Sequence, residues 1–243
     1  MTENKEEKLN KLSKVSILGS MLFYFPRVAF RHHAIPTLGE LVTADVAKRI
    51  WNKTLEQQKG LALRRPHYSL GTNHLLRYME WDCALYRATL EEGITESCAK
   101  ELIEKINWAA FGPMNRTVFQ ISRLRSSHLL TRVKWIIDLM FLFIFTKPFQ
   151  RHTYPHTNEV AFDVVVCPLA KYFKDQNVSE LTSSAACALD HQMANLWGLT
   201  FSRSQTIAEG YPLCDFRFYT KSARSLTVIQ PQTAKDISTS QSG

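Results

Sequence analysis

Residues Val160–Asp175, VAFDVVVCPLAKYFKD, decide the fold. Val160–Cys167 is rich in β-branched residues and reads as a strand. Pro168 follows where proline favours the first turn of a helix, so Pro168–Asp175 reads as a short helix. Ser179–Trp197 then carries a longer amphipathic helical pattern. Leu199–Ala208 and Pro212–Thr220 read as strands joined at Glu209-Gly210-Tyr211, with glycine where a hairpin turn needs it. The order strand–helix–helix–strand–strand predicts a small antiparallel sheet with helices on one face.

Upstream, residues 37–158 read as a helical region. Leu38, Leu41, Val46 and Ile50 fall near helical spacing before a stop at Lys59-Gly60. Leu75, Met79, Cys83, Leu85 and Tyr86 continue the pattern to Glu92-Gly93. Thr95 is placed to cap a helix carrying Ala99, Leu102, Ile103 and Ile106, with an end near Gly112-Pro113. Val118–Leu130 and Lys134–Phe145 complete the set, with short turns that favour antiparallel neighbours. The expected class is therefore α+β, a helical N-terminal half packed on a sheet-bearing core at 159–220. An apolar extension at 1–36 and a Ser/Thr/Gln-rich tail at 221–243, expected to have little fixed structure, flank it.

The 243 residues are 45% apolar and 21% charged, which excludes whole-chain disorder and fibrous or disulfide-framework classes. No apolar stretch reaches the roughly 18 residues of a membrane span. Val15–Pro26 and Trp135–Thr146 are the longest, and each suits a buried helix or a membrane-surface contact. No small-residue cleavage pattern follows the first of them, which argues against a signal peptide. Five cysteines, an odd set without repeating spacing, fit a reducing compartment such as the cytoplasm. The net charge of +8 lies wholly in residues 1–150, where 22 Lys and Arg face 14 Asp and Glu. Lys105 to Arg151 is especially basic, opposed only by Asp138. A solvated positive face or a peripheral membrane contact would use that excess. No nucleic-acid module accompanies it, so nucleic acid is not an expected partner.

Three thiols carry the chemistry. Cys167 falls at the start of a helix, where unpaired amides and the dipole favour an anion and would lower a thiol pKa; the alternative is a small buried residue at a strand end. Cys187, Asp190 and His191 stand at i, i+3 and i+4, so one helix face could bring a thiol beside a carboxylate and an imidazole. Cys214 shares its strand face with Phe216 and Phe218, pointing inward, while Asp215 and Arg217 take the other face. The spacings of the three cysteines make a weak zinc signature. His32-His33 and the pair His152 and His156 have no ligand geometry and read as surface residues.

At these positions the sequence resembles the family of L-2-amino-thiazoline-4-carboxylic acid hydrolases. The resemblance rests on Cys167-Pro168-Leu169-Ala170-Lys171-Tyr172-Phe173, on Cys187-Ala188-Leu189-Asp190, and on the run from Arg203 through Thr206, Glu209-Gly210, Cys214 and Asp215 to Phe218. A weaker block is Leu85–Ile94. The resemblance implies a hydrolase that opens a small cyclic amidine, without a cofactor. Attack would fall on the ring carbon between sulfur and nitrogen. The implied catalytic residues are Cys167, Cys187, Asp190, His191 and Cys214. A thiolate at Cys167, or a water activated by His191 or Asp190, would be the nucleophile. Arg203, Glu209 and Arg217 would bind substrate, the arginines receiving its carboxylate. The C-terminal layout is also similar to ligand-sensing domains related to 4-vinyl reductases; there Cys167, Cys187 and Cys214 would hold a structural zinc and the pocket would bind without converting. A third expectation is a membrane-associated enzyme acting on a lipophilic substrate with the same scaffold.

Overall fold

The computed structural model describes residues 26–155 and 158–220. The apolar stretch Val15–Phe25, His156 and the tail from residue 221 lie outside these described residues. The fold is α+β, as its periodicities predict.

Five helices open it. α1 (Pro26–Leu41) buries Phe30, Ala34 and Leu38 at intervals of four, so the packed part of the chain starts ahead of residue 37. α2 (Ala44–Leu63) buries Ala47, Ile50, Trp51 and Thr54. α3 (Leu70–Glu91) is the central helix, and its apolar face meets α1, α2 and α4 (Glu96–Ile121). Trp51 of α2 stacks on Trp81 of α3 at 5.7 Å between ring centroids, and Phe30 of α1 stacks on the same indole at 5.9 Å. Thr95 caps α4, its hydroxyl accepting from the Cys98 amide.

α4 does not stop near Gly112-Pro113; it runs through Pro113 to Ile121. Beyond the proline, Met114, Val118 and Phe119 still pack against the two cores, and this burial outweighs the one backbone bond that Pro113 cannot make. The helix expected over Val118–Leu130 is accordingly absent. A 3₁₀ turn, Ser122–Leu124, follows α4 instead. Arg132 pins that turn, donating to Ser122 Oγ at 3.0 Å and to the Phe119 carbonyl at 2.7 Å, with its guanidinium 4.2 Å from the Phe119 ring centroid. α5 (Leu129–Phe143) then lays Val133, Ile136 and Ile137 on the sheet.

The sheet has four antiparallel strands in the order β1-β2-β4-β3. β2 (Glu159–Val166) is central, and β4 (Cys214–Tyr219) pairs Val164 with Cys214 and Phe162 with Phe216. β1 (Gln150–Tyr154) falls inside the region read as helical; its polar sequence, QRHTY, has no apolar alternation because it is a mostly exposed edge strand. α6 (Pro168–Asp175) begins at the proline after Cys167. The long helix over Ser179–Trp197 is interrupted: a π-helical segment, Ser183–Cys187, precedes α7 (Ala188–Trp197), which ends on Gly198 at φ +74°.

The expected hairpin is also different. β3 is only Thr200–Ser202. The chain then leaves the ladder because the Asp215 carboxylate gathers the amides of Ser204 and Gln205 at 2.9 and 2.6 Å and the Ser204 hydroxyl at 2.7 Å. Thr206 caps a 3₁₀ turn at Ile207–Glu209, closed by Gly210 at φ +92°. β3 and β4 are still neighbours, across a long connection rather than a tight turn.

Two cores result. One joins α1–α4 and α6; the other lies between α5, α7 and the inner sheet face, and Cys167 and Phe149 pack against both. Among the described residues, no helix is long and apolar enough to cross a membrane.

Candidate active site

β2 ends at the seam between the cores, and there Cys167 occupies the N-cap position of α6. β4 enters the sheet beside it at Cys214, and the π-helical segment ends on Cys187 as α7 begins. All three cysteines line one chamber of about 100 Å³, together with Asp190 of α7 and Arg203 of the β3–β4 connection. The rest of the wall is apolar, including Phe141, Phe145, Phe162, Met193, Trp197 and Phe216.

A mostly buried ion pair, with 9% of the Arg203 and 17% of the Asp190 side chain exposed, is the polar centre of this chamber. Arg203 Nη1 donates to Asp190 Oδ2 at 2.5 Å. The guanidinium lies against two neighbouring aromatic rings, 5.4 Å from the Phe201 centroid and 5.3 Å from that of Phe216. Burial lifts the Asp190 carboxyl to about 6, and the pull of Arg203 only partly offsets it. Burial works to lower the Arg203 pKa, yet Asp190, with Cys187, holds it above the usual guanidinium value.

The thiols differ from the sequence expectation in their protonation. Burial pushes Cys167 up to about 11; the amides of Ala170 and Leu169 at the start of α6 pull it down, but by less. Cys187 is pushed up to about 12, by burial first and then by the charge of Asp190. Helix-start amides therefore do not make a thiolate of Cys167, because desolvation in an aromatic wall outweighs them. Thr206 links the other two sulfurs: its hydroxyl lies 3.4 Å from Cys214 Sγ and 3.9 Å from Cys187 Sγ. The Ile207 amide also donates to Cys214 Sγ at 3.2 Å.

Three of the residues singled out in the sequence lie elsewhere. His191 is exposed; its ring packs edge-on to Phe201 at 4.8 Å, and burial and Arg203 lower its pKa. Glu209 is exposed in the 3₁₀ turn. Arg217 points to the outer sheet face, where it donates to Asp163 Oδ1 at 2.9 Å and to the Phe162 and Phe216 carbonyls. Asp163 there also accepts from Tyr154 at 2.6 Å, so Arg217 completes a network of its own. Among the described residues, no group of three or more His, Cys, Asp or Glu side chains is placed to hold a metal ion. Thr206 and the aromatic wall are site residues to which sequence reasoning assigned no role. Trp197 is the most telling of these, since its indole N–H is buried with no protein acceptor.

Fold and site define an α+β protein with a largely apolar chamber furnished with three thiols and an acid–guanidinium pair. The model of the L-2-amino-thiazoline-4-carboxylic acid hydrolase family matches residues 83–218, which contain every chamber-lining residue named above. The chain belongs to that family. A search of curated proteins finds no match to the chain.

Proposed function

We propose that the protein opens a small cyclic amidine of the 2-aminothiazoline-4-carboxylate type by adding water. The observation that carries this reading is the Asp190–Arg203 pair in a largely apolar chamber, because it holds a carboxyl that titrates near 6 beside a fixed cation. Arg203 receives the substrate carboxylate, a bidentate role suited to guanidinium. Asp190, relieved of part of that ion pair, becomes the base.

Water is the nucleophile in this scheme, since Cys167 and Cys187 stay protonated at neutral pH. Asp190 takes one proton of the water and delivers it to the ring nitrogen while the oxygen bonds to the carbon between sulfur and nitrogen. The adduct then collapses with cleavage of the carbon–sulfur bond, and its hydroxyl proton leaves with the sulfur as a thiol. The product is an N-carbamoyl amino acid bearing that thiol. Cys167, Cys187 and Cys214 act as the weakly polar wall against which the ring sulfur lies, and Trp197 offers a donor to a substrate acceptor. The family membership and the small, largely apolar chamber support a small-molecule substrate.

A pH profile of ring opening tests the assignment. Asp190 must be ionised to accept a proton, so kcat/KM is expected to rise through pH about 6 and to be lost below it. Asp190→Asn should cost at least about a hundredfold in turnover and abolish that limb. Arg203→Met, which removes the cation that favours the carboxylate, should move the limb upward. Full turnover in Asp190→Asn would remove Asp190 as the base.

A further inference from the structure

We propose that the natural substrate carries an extended apolar chain, with its polar head beside Asp190 and its chain running through two further cavities to the surface between α3 and α5. The inference rests on the reading above for the head group and adds the class of what is attached to it.

The catalytic chamber is not isolated. A second cavity of about 70 Å³ shares Asp190, Met140, Met193 and Leu169 with it. A third, of about 500 Å³, shares Met114, Asn115, Met140 and Ile144 with the second. The three are therefore neighbours with Met140 common to all, and the partitions between them include Met114, Met140 and Met193, whose unbranched side chains adapt readily. At the far end the third cavity is lined by Leu70 and Phe143, 89% and 65% exposed, which marks its mouth.

The large cavity presents hydrocarbon. Its hydrogen-bonding side chains are turned to their own helix: Asn115 donates to the Phe111 carbonyl at 3.1 Å and Thr117 to the Pro113 carbonyl at 3.0 Å. His74 is the one titratable group in its wall. An open cavity with such a wall sets hydrocarbon against water, and a bound apolar chain would cover it. A compact ring with a carboxylate would use only the first chamber, whereas ligand pockets commonly run to roughly 300–1,000 Å³. An alkyl or prenyl-like chain fits the rest.

Calorimetry on the full chain tests this with four probes. Two are 2-aminothiazoline-4-carboxylates bearing methyl or n-octyl on the exocyclic nitrogen; the other two are butanoate and decanoate. The octyl ring is expected to bind at least about tenfold more tightly than the methyl ring, and decanoate likewise against butanoate. Leu139 lines only the large cavity, so Leu139→Trp should cut both ratios below about threefold while hydrolysis of the unsubstituted ring is unchanged. Leu139→Phe serves the same purpose should the tryptophan variant fail to fold. Equal affinities for short and long chains in the unaltered protein would overturn the proposal, as would ratios that survive both substitutions. Chain-length selectivity without any ring opening would remove the hydrolase reading and leave the chain site standing. Ring opening without that selectivity would remove the chain site alone.

Discussion

Asp190 and His191 are adjacent in sequence, yet the chamber takes one and leaves the other to solvent. Neighbouring residues on a helix point about 100° apart, so a face broad enough for i+3 need not include i+4. Phe201 decides the outcome by occupying the His191 side. Cys167 shows the same competition between a local rule and its surroundings. Its position at the start of α6 is readable in the Cys167-Pro168 step, but the aromatic wall that raises its pKa comes from α5, β2 and β4, which no local spacing brings together. The protonated thiols have a measurable consequence. With iodoacetamide at neutral pH, exposed Cys98 should be carbamidomethylated first, and Cys167 and Cys187 should lag by at least about tenfold, as read by peptide mass spectrometry. Cys167 labelling as fast as Cys98 would show a thiolate and return the nucleophile's role to sulfur.

Elements were legible where one face carries the pattern and illegible where a single tertiary contact overrides it. α3 follows from spacing alone, and Thr95 marks the start of α4; the run read from Leu38 to a stop at Lys59-Gly60 is instead divided between α1 and α2, and α2 passes Gly60 to end at Leu63. The passage of α4 through Pro113 depends on burial of its far half, and the missing hairpin depends on Asp215 reaching back to Ser204 and Gln205. Neither partner is close enough in sequence to announce itself. The π-helical segment at Ser183–Cys187 has a similar origin: Asn107 on α4 donates to the Ala185 carbonyl and to buried Asp82 on α3, both at 2.9 Å, and so ties the segment to two helices. A close crossing makes the sharpest prediction at this scale. Gly71 lets α3 approach the end of α5, where an added Cβ would lie 2.2 Å from the Phe143 carbonyl oxygen. Gly71→Ala should therefore lower unfolding stability by about 1–3 kcal/mol, read as a reduced denaturant midpoint. An unchanged midpoint would show that the crossing has slack.

Across the whole molecule, the site lies where the helical core meets the sheet-bearing core, which explains why residues from a strand end, two helical segments and a loop can share a wall. Part of the basic excess between residues 105 and 151 has partners within the chain. Arg132 holds the turn after α4, Arg151 pairs with Asp138 and lies 4.3 Å from the Phe141 ring centroid, and Lys105 pairs with Glu101. Composition shows that charge but not its partners, so a positive run reads as an open face when part of it is structural. The family's name is that of a hydrolase, and the chamber is lined by an acid, a cation and three thiols. The most direct test of that union is to incubate the purified protein with 2-aminothiazoline-4-carboxylate and follow the appearance of free thiol alongside the product mass. The account predicts one thiol per ring consumed, a product heavier than the substrate by one water, and loss of both signals in Asp190→Asn. An intact ring after prolonged incubation with folded protein would contradict it.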